Sequence, residues 1–209
     1  MNRELQIKVC GLRDEKNILE VAELQPDMMG FIFYEGSKRY VGKDFRMPYL
    51  PSSVKKTGVF VNANVDEILK AVDRHSLDMV QLHGDETVSL CAEVKKRIPV
   101  VKAFGVGDQL DHDTLEGFSD ACTYFLFDTQ TSEHGGSGKK FNWDLLDAYT
   151  GDIPFFLSGG IGAESVGGVK EVMKRKERLF AVDVNSRFEV EPGIKDIKQL
   201  KAFIHEIRG

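Results

Sequence analysis

Eight short apolar segments recur along the chain, and longer amphipathic segments separate them. This alternation restricts the possible folds more than any other feature of the sequence. Each segment is rich in Val, Ile, Phe and Met and is bounded by Gly, Pro, Asp or Asn. The segments are Ile7–Cys10, Met28–Phe33, Thr57–Val61, Met79–Leu82, Val100–Phe104, Tyr124–Asp128, Phe155–Ser158 and Ala181–Val184. Nearly continuous apolar strands of this length are typical of a parallel sheet whose outer face is covered by helices.

Amphipathic helices are predicted between most of these strands. Asp14 can cap a helix that runs to Leu24, and Asn142 can cap one over Trp143–Tyr149. The other predicted helices are Asp66–Arg74, Glu86–Arg97, a short one within Asp111–Asp120, Ala163–Lys174 and Asp196–Ile207. After the second strand, Pro48 and Pro51 interrupt the segment Asp44–Val54, so a loop or broken turn is expected there instead of a helix.

About eight strand–helix repeats predict an α/β fold of the closed (β/α)₈ barrel type. The 209 residues contain no linker or low-complexity tract, so one catalytic domain over residues 1–209 is expected. A doubly wound open sheet is the alternative, but its usual glycine-rich signature after the first strand is absent.

The charge and cysteine content of the chain narrow its partners. A net charge of −5 argues against nucleic acid or an anionic membrane as the main partner, although a local pocket of N–H groups can still hold phosphate. Three scattered cysteines suggest reduced thiols in a cytoplasm. No signal peptide and no apolar run of membrane-spanning length is evident. A cytoplasmic monomer or homodimer that binds a small phosphorylated molecule is expected.

Two predicted strands end in residues that can transfer protons. The first ends at Cys10, where Gly11 breaks the strand, and the sixth ends at Asp128. In a parallel barrel the strands deliver their last side chains to one mouth, where catalytic groups lie. A thiol and a carboxyl there could act as base and acid, if a cation helps the thiol to ionise and desolvation or an anion keeps the carboxyl protonated. The alternatives are a buried core cysteine and an aspartate that caps its loop.

Two further strand ends are candidates for binding an anion. Ser158-Gly159-Gly160-Ile161-Gly162 leads from the seventh strand into a helix, and glycines allow a ligand to approach the N–H groups of a helix start. Asn185, Ser186 and Arg187 follow the eighth strand. Loops after strands seven and eight form the phosphate site of many barrels. A plain turn and a solvated loop are the alternatives.

Arg39 and His83 follow the second and fourth strands. A guanidinium at the mouth could pair with a carboxylate or help to ionise Cys10. His83 more plausibly lines the pocket than binds a metal, because the other histidines lie at no metal-ligand spacing, and no metal is expected. These other histidines are His75, His112, His134 and His205.

Six motifs together resemble the phosphoribosylanthranilate isomerase family of tryptophan biosynthesis. They are Lys8-Val9-Cys10-Gly11, Gly30-Phe31-Ile32-Phe33 with Ser37-Lys38-Arg39-Tyr40, Gly58-Val59-Phe60-Val61, Val80-Gln81-Leu82-His83-Gly84, Phe127-Asp128 and Leu157-Ser158-Gly159-Gly160. The resemblance continues to Pro192-Gly193-Ile194-Lys195-Asp196 and so covers almost the full chain. It implies a (β/α)₈ barrel that catalyses, without a cofactor, an Amadori rearrangement of N-(5-phosphoribosyl)anthranilate to the open-chain 1-deoxyribulose phosphate.

The resemblance also implies roles for particular residues. Asp128 would be the general acid that protonates the ribose ring oxygen, and Cys10 the general base that takes the proton from the sugar C2. We expect the substrate-binding residues to be Arg39, near the anthranilate moiety, together with Gln81, His83 and Asp183. We expect the phosphate-binding residues to be Gly159, Gly160, Asn185 and Ser186.

The last loop departs from the family pattern Asp-Val-Ser-Ser-Gly-Val-Glu. Asn185 stands in place of a serine and Arg187 in place of a glycine. Arginine does not permit the close backbone approach that glycine does. Asn185 can still donate a hydrogen bond, and Arg187 can point outward.

Three other functions remain as alternatives at this level. An indole-glycerol-phosphate synthase would be expected to place lysines and glutamates at the strand ends, and a sugar-phosphate epimerase would require metal-binding histidines. A barrel that only senses a phosphorylated ligand would need neither Cys10 nor Asp128. Separately, the glycine-rich segment Thr129–Lys140 is hypothesised to be a mobile lid.

Overall fold

Eight parallel strands form a closed barrel in the order in which they occur along the chain. A computed structural model describes residues 4–129 and 142–209. The strands are β1 (Gln6–Val9), β2 (Met28–Ile32), β3 (Lys55–Phe60), β4 (Met79–Leu82), β5 (Val100–Val106), β6 (Tyr124–Thr129), β7 (Phe155–Leu157) and β8 (Leu179–Val184). β8 pairs in parallel with β1, with Val9 beside Val184, and this pairing closes the barrel. The prediction of a (β/α)₈ barrel is confirmed.

Helices follow most strands on the outside of the barrel. They are α1 (Glu15–Glu23), α2 (Val65–His75), α3 (Val88–Lys95), α4 (His112–Gly117), α5 (Val166–Arg175) and α6 (Ile197–Arg208). Asp14 caps α1 by accepting a hydrogen bond from the Asn17 N–H, as predicted. Asn142 also caps a helix as predicted, but Trp143–Ala148 is a 3₁₀ helix and not an α-helix. Two more 3₁₀ helices are Ala163–Ser165, directly before α5, and Ser186–Phe188.

Residues 33–54, between β2 and β3, contain no helix. Both prolines predicted to prevent one, Pro48 and Pro51, lie in this segment. The segment still covers the barrel, because the ring of Phe45 packs on those of Phe31 and His75 with centroids 5.7 and 5.5 Å apart. The expected loop in place of a second helix is confirmed.

The inside of the barrel has an apolar layer with a polar layer above it. The apolar layer consists of Met28, Met79, Val101, Ala103, Leu126, Phe156 and Ala181. Side chains alternate along a strand, so Gln81 in β4 and Asp183 in β8 share the inward face of Met79 and Ala181 but lie closer to the carboxyl ends of the strands. Lys8 in β1 is fully buried beside them. The polar layer therefore opens at the carboxyl-terminal mouth of the barrel.

An antiparallel hairpin of β9 (Glu189–Glu191) and β10 (Ile194–Lys195) lies between β8 and α6. Asn17 of α1 holds it in place. The Asn17 side-chain nitrogen donates to the Lys195 carbonyl oxygen at 3.0 Å, and the Lys195 N–H donates to the Asn17 side-chain oxygen at 2.7 Å. The hairpin was not predicted from the sequence. Within residues 4–129 and 142–209, no helix is long and apolar enough to cross a membrane.

Candidate active site

Cys10 lies directly after β1 at the mouth of the barrel and is almost completely buried. Its N–H donates to the Val184 carbonyl oxygen at 2.9 Å, which extends the pairing of β1 with β8 by one residue. Gly11 then turns the chain with a φ of +81°, a backbone conformation that suits glycine. On the other side, Gly30 of β2 lies so close that an added Cβ there would be 2.8 Å from Cys10 Sγ. The thiol is therefore confined between β8 and β2.

Three charged side chains act on the Cys10 thiol. Lys8 donates to the Asp183 carboxylate at 2.9 Å, and both are buried. Burial raises the pKa of Cys10 above its ordinary value, and Asp183 raises it further, whereas Lys8 and Lys195 act in the opposite direction. A cation near Cys10 was expected from the sequence, with Arg39 as the candidate, but the cations that act on the thiol are Lys8 and Lys195. They do not fully offset burial, so the protonated thiol is the resting form at neutral pH.

Burial and neighbouring charges both affect the pKa values of Lys8 and Asp183. Burial alone would lower the pKa of Lys8, but the charges of Asp183 and Cys10 raise it above its ordinary value, so Lys8 remains an ammonium. Burial also raises the pKa of Asp183, and the nearby charge of Asp128 adds to that increase. Asp183 therefore lies within electrostatic range of both Cys10 and Asp128.

Asp128 lies near the end of β6, and a short chain of polar side chains leads to it. The side-chain nitrogen of Gln81 lies 2.8 Å from His83 Nδ1, and this contact holds the imidazole in place. His83 Nε2 faces Asp128 Oδ2 at 3.5 Å. The other carboxylate oxygen of Asp128 accepts a hydrogen bond from the Thr129 N–H at 2.8 Å. The Asp128 side chain is 16% exposed, so it can reach a ligand in the mouth.

Arg39 is fixed at the mouth by a carboxylate of the C-terminal hairpin. Its Nε lies 2.9 and 3.0 Å from the two Glu189 oxygens, and its terminal nitrogen donates to Oε2 at 2.7 Å. This bidentate geometry is the strong form of an arginine–carboxylate pair. Burial acts to raise the pKa of Glu189, but Arg39 and Lys195 together hold it below its ordinary value.

The two loops proposed for phosphate binding lie side by side. Gly159 and Gly160, after β7, have φ values of +88° and +63°. The backbone of Gly159 is packed against Thr129, so a side chain at this position would collide with the end of β6. The loop ends where the Gly162 N–H donates to the Ser165 hydroxyl at 2.9 Å, at the start of the helical segment. Backbone N–H groups at such a turn suit an anion.

The loop after β8 contains Arg187, Asn185 and Ser186, whose contacts differ. Arg187 lies 3.4 Å from a Glu164 oxygen, and both side chains are about half exposed. Its guanidinium therefore lies beside the segment after β7 and is partly exposed to solvent. The Asn185 side-chain oxygen is turned inward and accepts a hydrogen bond from Lys195 at 2.7 Å. Ser186 begins the following 3₁₀ helix.

All ten candidate residues lie at or just below the carboxyl-terminal mouth. Nine of them are in a barrel strand or within three residues after one, and Arg39 comes from the connection after β2. Direct contacts link Gln81, His83 and Asp128. The charge of Asp183 interacts with the Cys10 thiol and with the Asp128 carboxyl group. Sequence reasoning missed Lys195 and Glu189. The hypothesised lid falls largely on residues 130–141, which lie outside the described residues. In the described part of the chain, no group of three or more His, Cys, Asp or Glu side chains could hold a metal ion.

Comparisons with known proteins identify the family. Residues 7–206 match the family model for N-(5'-phosphoribosyl)anthranilate (PRA) isomerase. An N-(5'-phosphoribosyl)anthranilate isomerase of Parabacteroides distasonis is 42% identical over 206 residues, which are 96% of this chain and 92% of that protein. The crystal structure of phosphoribosyl anthranilate isomerase from Thermotoga maritima aligns with a TM-score of 0.83 and 36% identity, covering 98% of this chain and 99% of that one.

A further solved structure is similar over the same span. It is a phosphoribosyl anthranilate isomerase in complex with reduced 1-(o-carboxyphenylamino)-1-deoxyribulose 5-phosphate. It aligns with a TM-score of 0.79 and 33% identity, covering 98% of this chain and 99% of that one. Sequence and structure agree across nearly the whole length, and the chain belongs to the N-(5'-phosphoribosyl)anthranilate isomerase family.

Proposed function

We propose that this protein isomerises N-(5'-phosphoribosyl)anthranilate to 1-(2-carboxyphenylamino)-1-deoxyribulose 5-phosphate in tryptophan biosynthesis, by acid–base catalysis without a cofactor. The observation that carries the proposal is that Cys10 and Asp128, far apart in sequence, both lie at one mouth and both interact with Asp183. Family membership supports the same activity.

Asp128 is the proposed general acid. It gives a proton to the ribose ring oxygen as the C1–O bond breaks, and the nitrogen lone pair forms the C1–N double bond of a Schiff base. His83, held by Gln81, orients the carboxyl.

Cys10 is the proposed general base. Its thiolate takes the proton from the sugar C2, and the electrons of that C–H bond move toward the Schiff base to give an enolamine. The enolamine then tautomerises to the ketone. Because the resting form is the thiol, the thiolate fraction limits this step and activity is expected to rise with pH through the alkaline range.

The substrate would be held at both ends. Gly159, Gly160, Asn185 and Ser186 are the proposed phosphate-binding residues, since the two loops follow the neighbouring strands β7 and β8 and backbone N–H groups at the start of a helix suit an anion. Arg39, Gln81, His83 and Asp183 are proposed to contact the remainder of the substrate. Anchoring the phosphate would place the reacting carbons between the acid and the base. The binding energy at the phosphate then helps to hold the substrate in the reactive orientation.

We further infer that residues 1–209 act as one catalytic barrel in the cytoplasm, as a monomer or homodimer. The three cysteines, all among the described residues, are free thiols, which supports a reducing compartment. One solved relative is a monomeric form of the dimeric enzyme of Thermotoga maritima. Sedimentation equilibrium would distinguish the two states for this protein.

The activity is tested by generating phosphoribosylanthranilate in situ and following the loss of its fluorescence. We expect turnover by the wild type and a fall in kcat/KM of roughly 10²–10⁴-fold for Cys10→Ala and for Asp128→Ala. Cys91→Ala, a buried thiol in the outer core, and Asp152→Asn, an exposed carboxylate, serve as matched controls and should keep near-native rates.

Two outcomes would contradict this proposal in different ways. A wild type that binds the product analogue but shows no turnover would indicate a binding protein. Turnover that persists at near-native rates in both Cys10→Ala and Asp128→Ala would leave the activity intact but remove both residues from their roles.

A further inference from the structure

Lys195 is a buried lysine at the edge of the site, and the acid–base mechanism does not use it. We propose that Lys195 is a positioning residue that places a positive charge beside Cys10 and thereby makes the Cys10 thiolate accessible as the base. This inference rests on the proposed function, in which Cys10 removes a proton from the substrate.

The Lys195 ammonium is held in one place. Its Nζ donates to the Asn185 side-chain oxygen at 2.7 Å and to Glu189 Oε1 at 2.7 Å. The side chain is fully buried, and the backbone N–H and C=O of Lys195 are both bound by Asn17. The charge therefore cannot swing out into solvent, as that of an exposed lysine does.

The contacts of Lys195 close a ring around the residue next to Cys10. Asn185 and Arg39 both pack on Gly11, where an added Cβ would lie 2.6 Å from the Asn185 side-chain oxygen and 2.7 Å from Arg39 Cδ. Arg39 and Lys195 in turn share the carboxylate of Glu189. Lys195 therefore affects Cys10 in two ways. Its positive charge acts on the thiol, and its partners hold the residues that pack on Gly11.

The positive and negative side chains on the Cys10 side of the mouth are not equal in number. On the Cys10 side of the mouth, Lys8 is matched by Asp183, whereas Glu189 alone serves both Arg39 and Lys195. These five side chains therefore carry one surplus positive charge. Among the other charged groups that the structure describes at this end of the barrel, His83 and Asp128 face each other at 3.5 Å, Lys102 pairs with Glu86, and Arg13 donates to the Lys38 carbonyl oxygen. A buried uncompensated cation is costly, and an anion formed at Cys10 removes that cost.

The positive charge of Lys195 depends on its partner Glu189. Burial lowers the pKa of Lys195, and the charge of Glu189 opposes this change. The low pKa of Glu189 depends in part on Lys195. The two groups therefore stabilise each other in their charged forms, and the field at Cys10 comes from the Lys195–Glu189–Arg39 set as a whole.

The test measures the pH dependence of Cys10 alkylation by iodoacetamide in Lys195→Met, with the modified site identified by peptide mapping. The apparent pKa of Cys10 should rise by at least one unit, which lowers the alkylation rate near neutral pH about tenfold. The kcat should fall more than KM changes, and its alkaline rise should move to higher pH. Lys195→Arg retains the charge and should recover most of the wild-type pH profile.

A matched control and a variant of opposite sign make the test specific. Lys102 is a similarly buried lysine, paired with Glu86 at 3.1 Å, and the charges that shift the pKa of Cys10 are those of Lys8, Asp183 and Lys195. Lys102→Met should therefore leave the alkylation profile of Cys10 nearly unchanged. Glu189→Gln keeps Lys195 but removes a negative charge, so it should lower the apparent pKa of Cys10. This variant still decides the question if Lys195→Met fails to fold.

An unchanged Cys10 profile in folded Lys195→Met, or an unchanged profile in Glu189→Gln, would overturn the inference. An increase in KM alone, with unchanged thiol reactivity, would also overturn it and would assign the surplus charge to an anionic group of the substrate. Alkylation needs no substrate. A wild type without isomerase activity would therefore refute the proposed function while the alkylation result still reports on Lys195.

Discussion

The sulfur of Cys10 lies against a residue that has no side chain. A Cβ on Gly30 would be 2.8 Å from Cys10 Sγ and 3.1 Å from its Cα, which is closer than such atoms pack. We expect Gly30→Ala to displace the thiol and to lower kcat/KM by about 10²-fold, because a shift of about 1 Å at a reacting group has an effect of that size. Steady-state kinetics would measure it.

Gly117, the last residue of α4, provides the control for this prediction. A Cβ there meets nothing within 4 Å, so Gly117→Ala should leave kcat/KM and the melting temperature nearly unchanged. If Gly30→Ala retained wild-type kcat/KM, the close packing of β2 on the thiol would have no catalytic consequence.

Arg187 illustrates a residue whose effect is expected to be small. It replaces a family glycine, but its guanidinium pairs with Glu164 in a half-exposed position. We expect Arg187→Ala to change KM less than twofold and the free energy of unfolding by less than about 1 kcal/mol, since exposed ion pairs contribute little. A large increase in KM would show instead that Arg187 reaches the phosphate.

At the scale of single residues, the location of most candidate side chains could be predicted from the sequence. Cys10 and Asp128 end apolar strands, and parallel strands bring their ends to one mouth. Lys8 was also visible, as a charge inside an apolar strand two residues before Cys10. Lys195 and Glu189 could not be placed, because their position depends on a hairpin and on a contact with α1 that no local pattern reports.

The contact between α1 and the C-terminal hairpin depends on one side chain. Asn17 is buried and satisfies both backbone groups of Lys195. We expect Asn17→Ala to lower the free energy of unfolding by about 2–3 kcal/mol, because it leaves a buried donor and a buried acceptor unpaired. Urea denaturation would measure the loss.

Asn64 is the comparison for this prediction. Its side-chain oxygen caps α2 by accepting a hydrogen bond from the Glu67 N–H, but that cap is exposed to solvent. Asn64→Ala should cost only about 1 kcal/mol. Equal losses in the two variants would indicate that Asn17 acts merely as a helix residue and not as the support of the hairpin.

At the scale of elements, the sequence signals differ in strength. The eight barrel strands were predictable because their apolar runs are continuous, and the absence of a helix in residues 33–54 was predictable from Pro48 and Pro51. β9 and β10 have three and two residues, too few to show a periodicity. The capped segment after Asn142 was predicted as an α-helix, but such a short segment can also wind as a 3₁₀ helix.

At the scale of the whole molecule, the closed barrel follows from counting. Eight strand repeats of similar length can close only if the last strand meets the first, and β8 pairs with β1 over four residues, from Gln6 to Val9. The sequence could not indicate how the closed ring is reinforced. That reinforcement comes from the hairpin, which is bonded to Asn17 of α1, and from α6, whose Arg208 contacts Gln25 and Asp27 beyond the end of α1.

The helix-free connection between β2 and β3 has a consequence for how the chain can change in length. Every residue added to a helix rotates the remaining turns of that helix by about 100°, whereas an extended segment has no rotational phase to preserve. Two residues inserted after Gly42, where an added Cβ would meet nothing within 4 Å, should cost only about 0.1 kcal/mol in loop entropy. The same insertion after Leu69 in α2 should unfold that helix, and thermal denaturation would compare them. The part of this connection beyond Arg39 can therefore change in length at less cost than a helix of the barrel can.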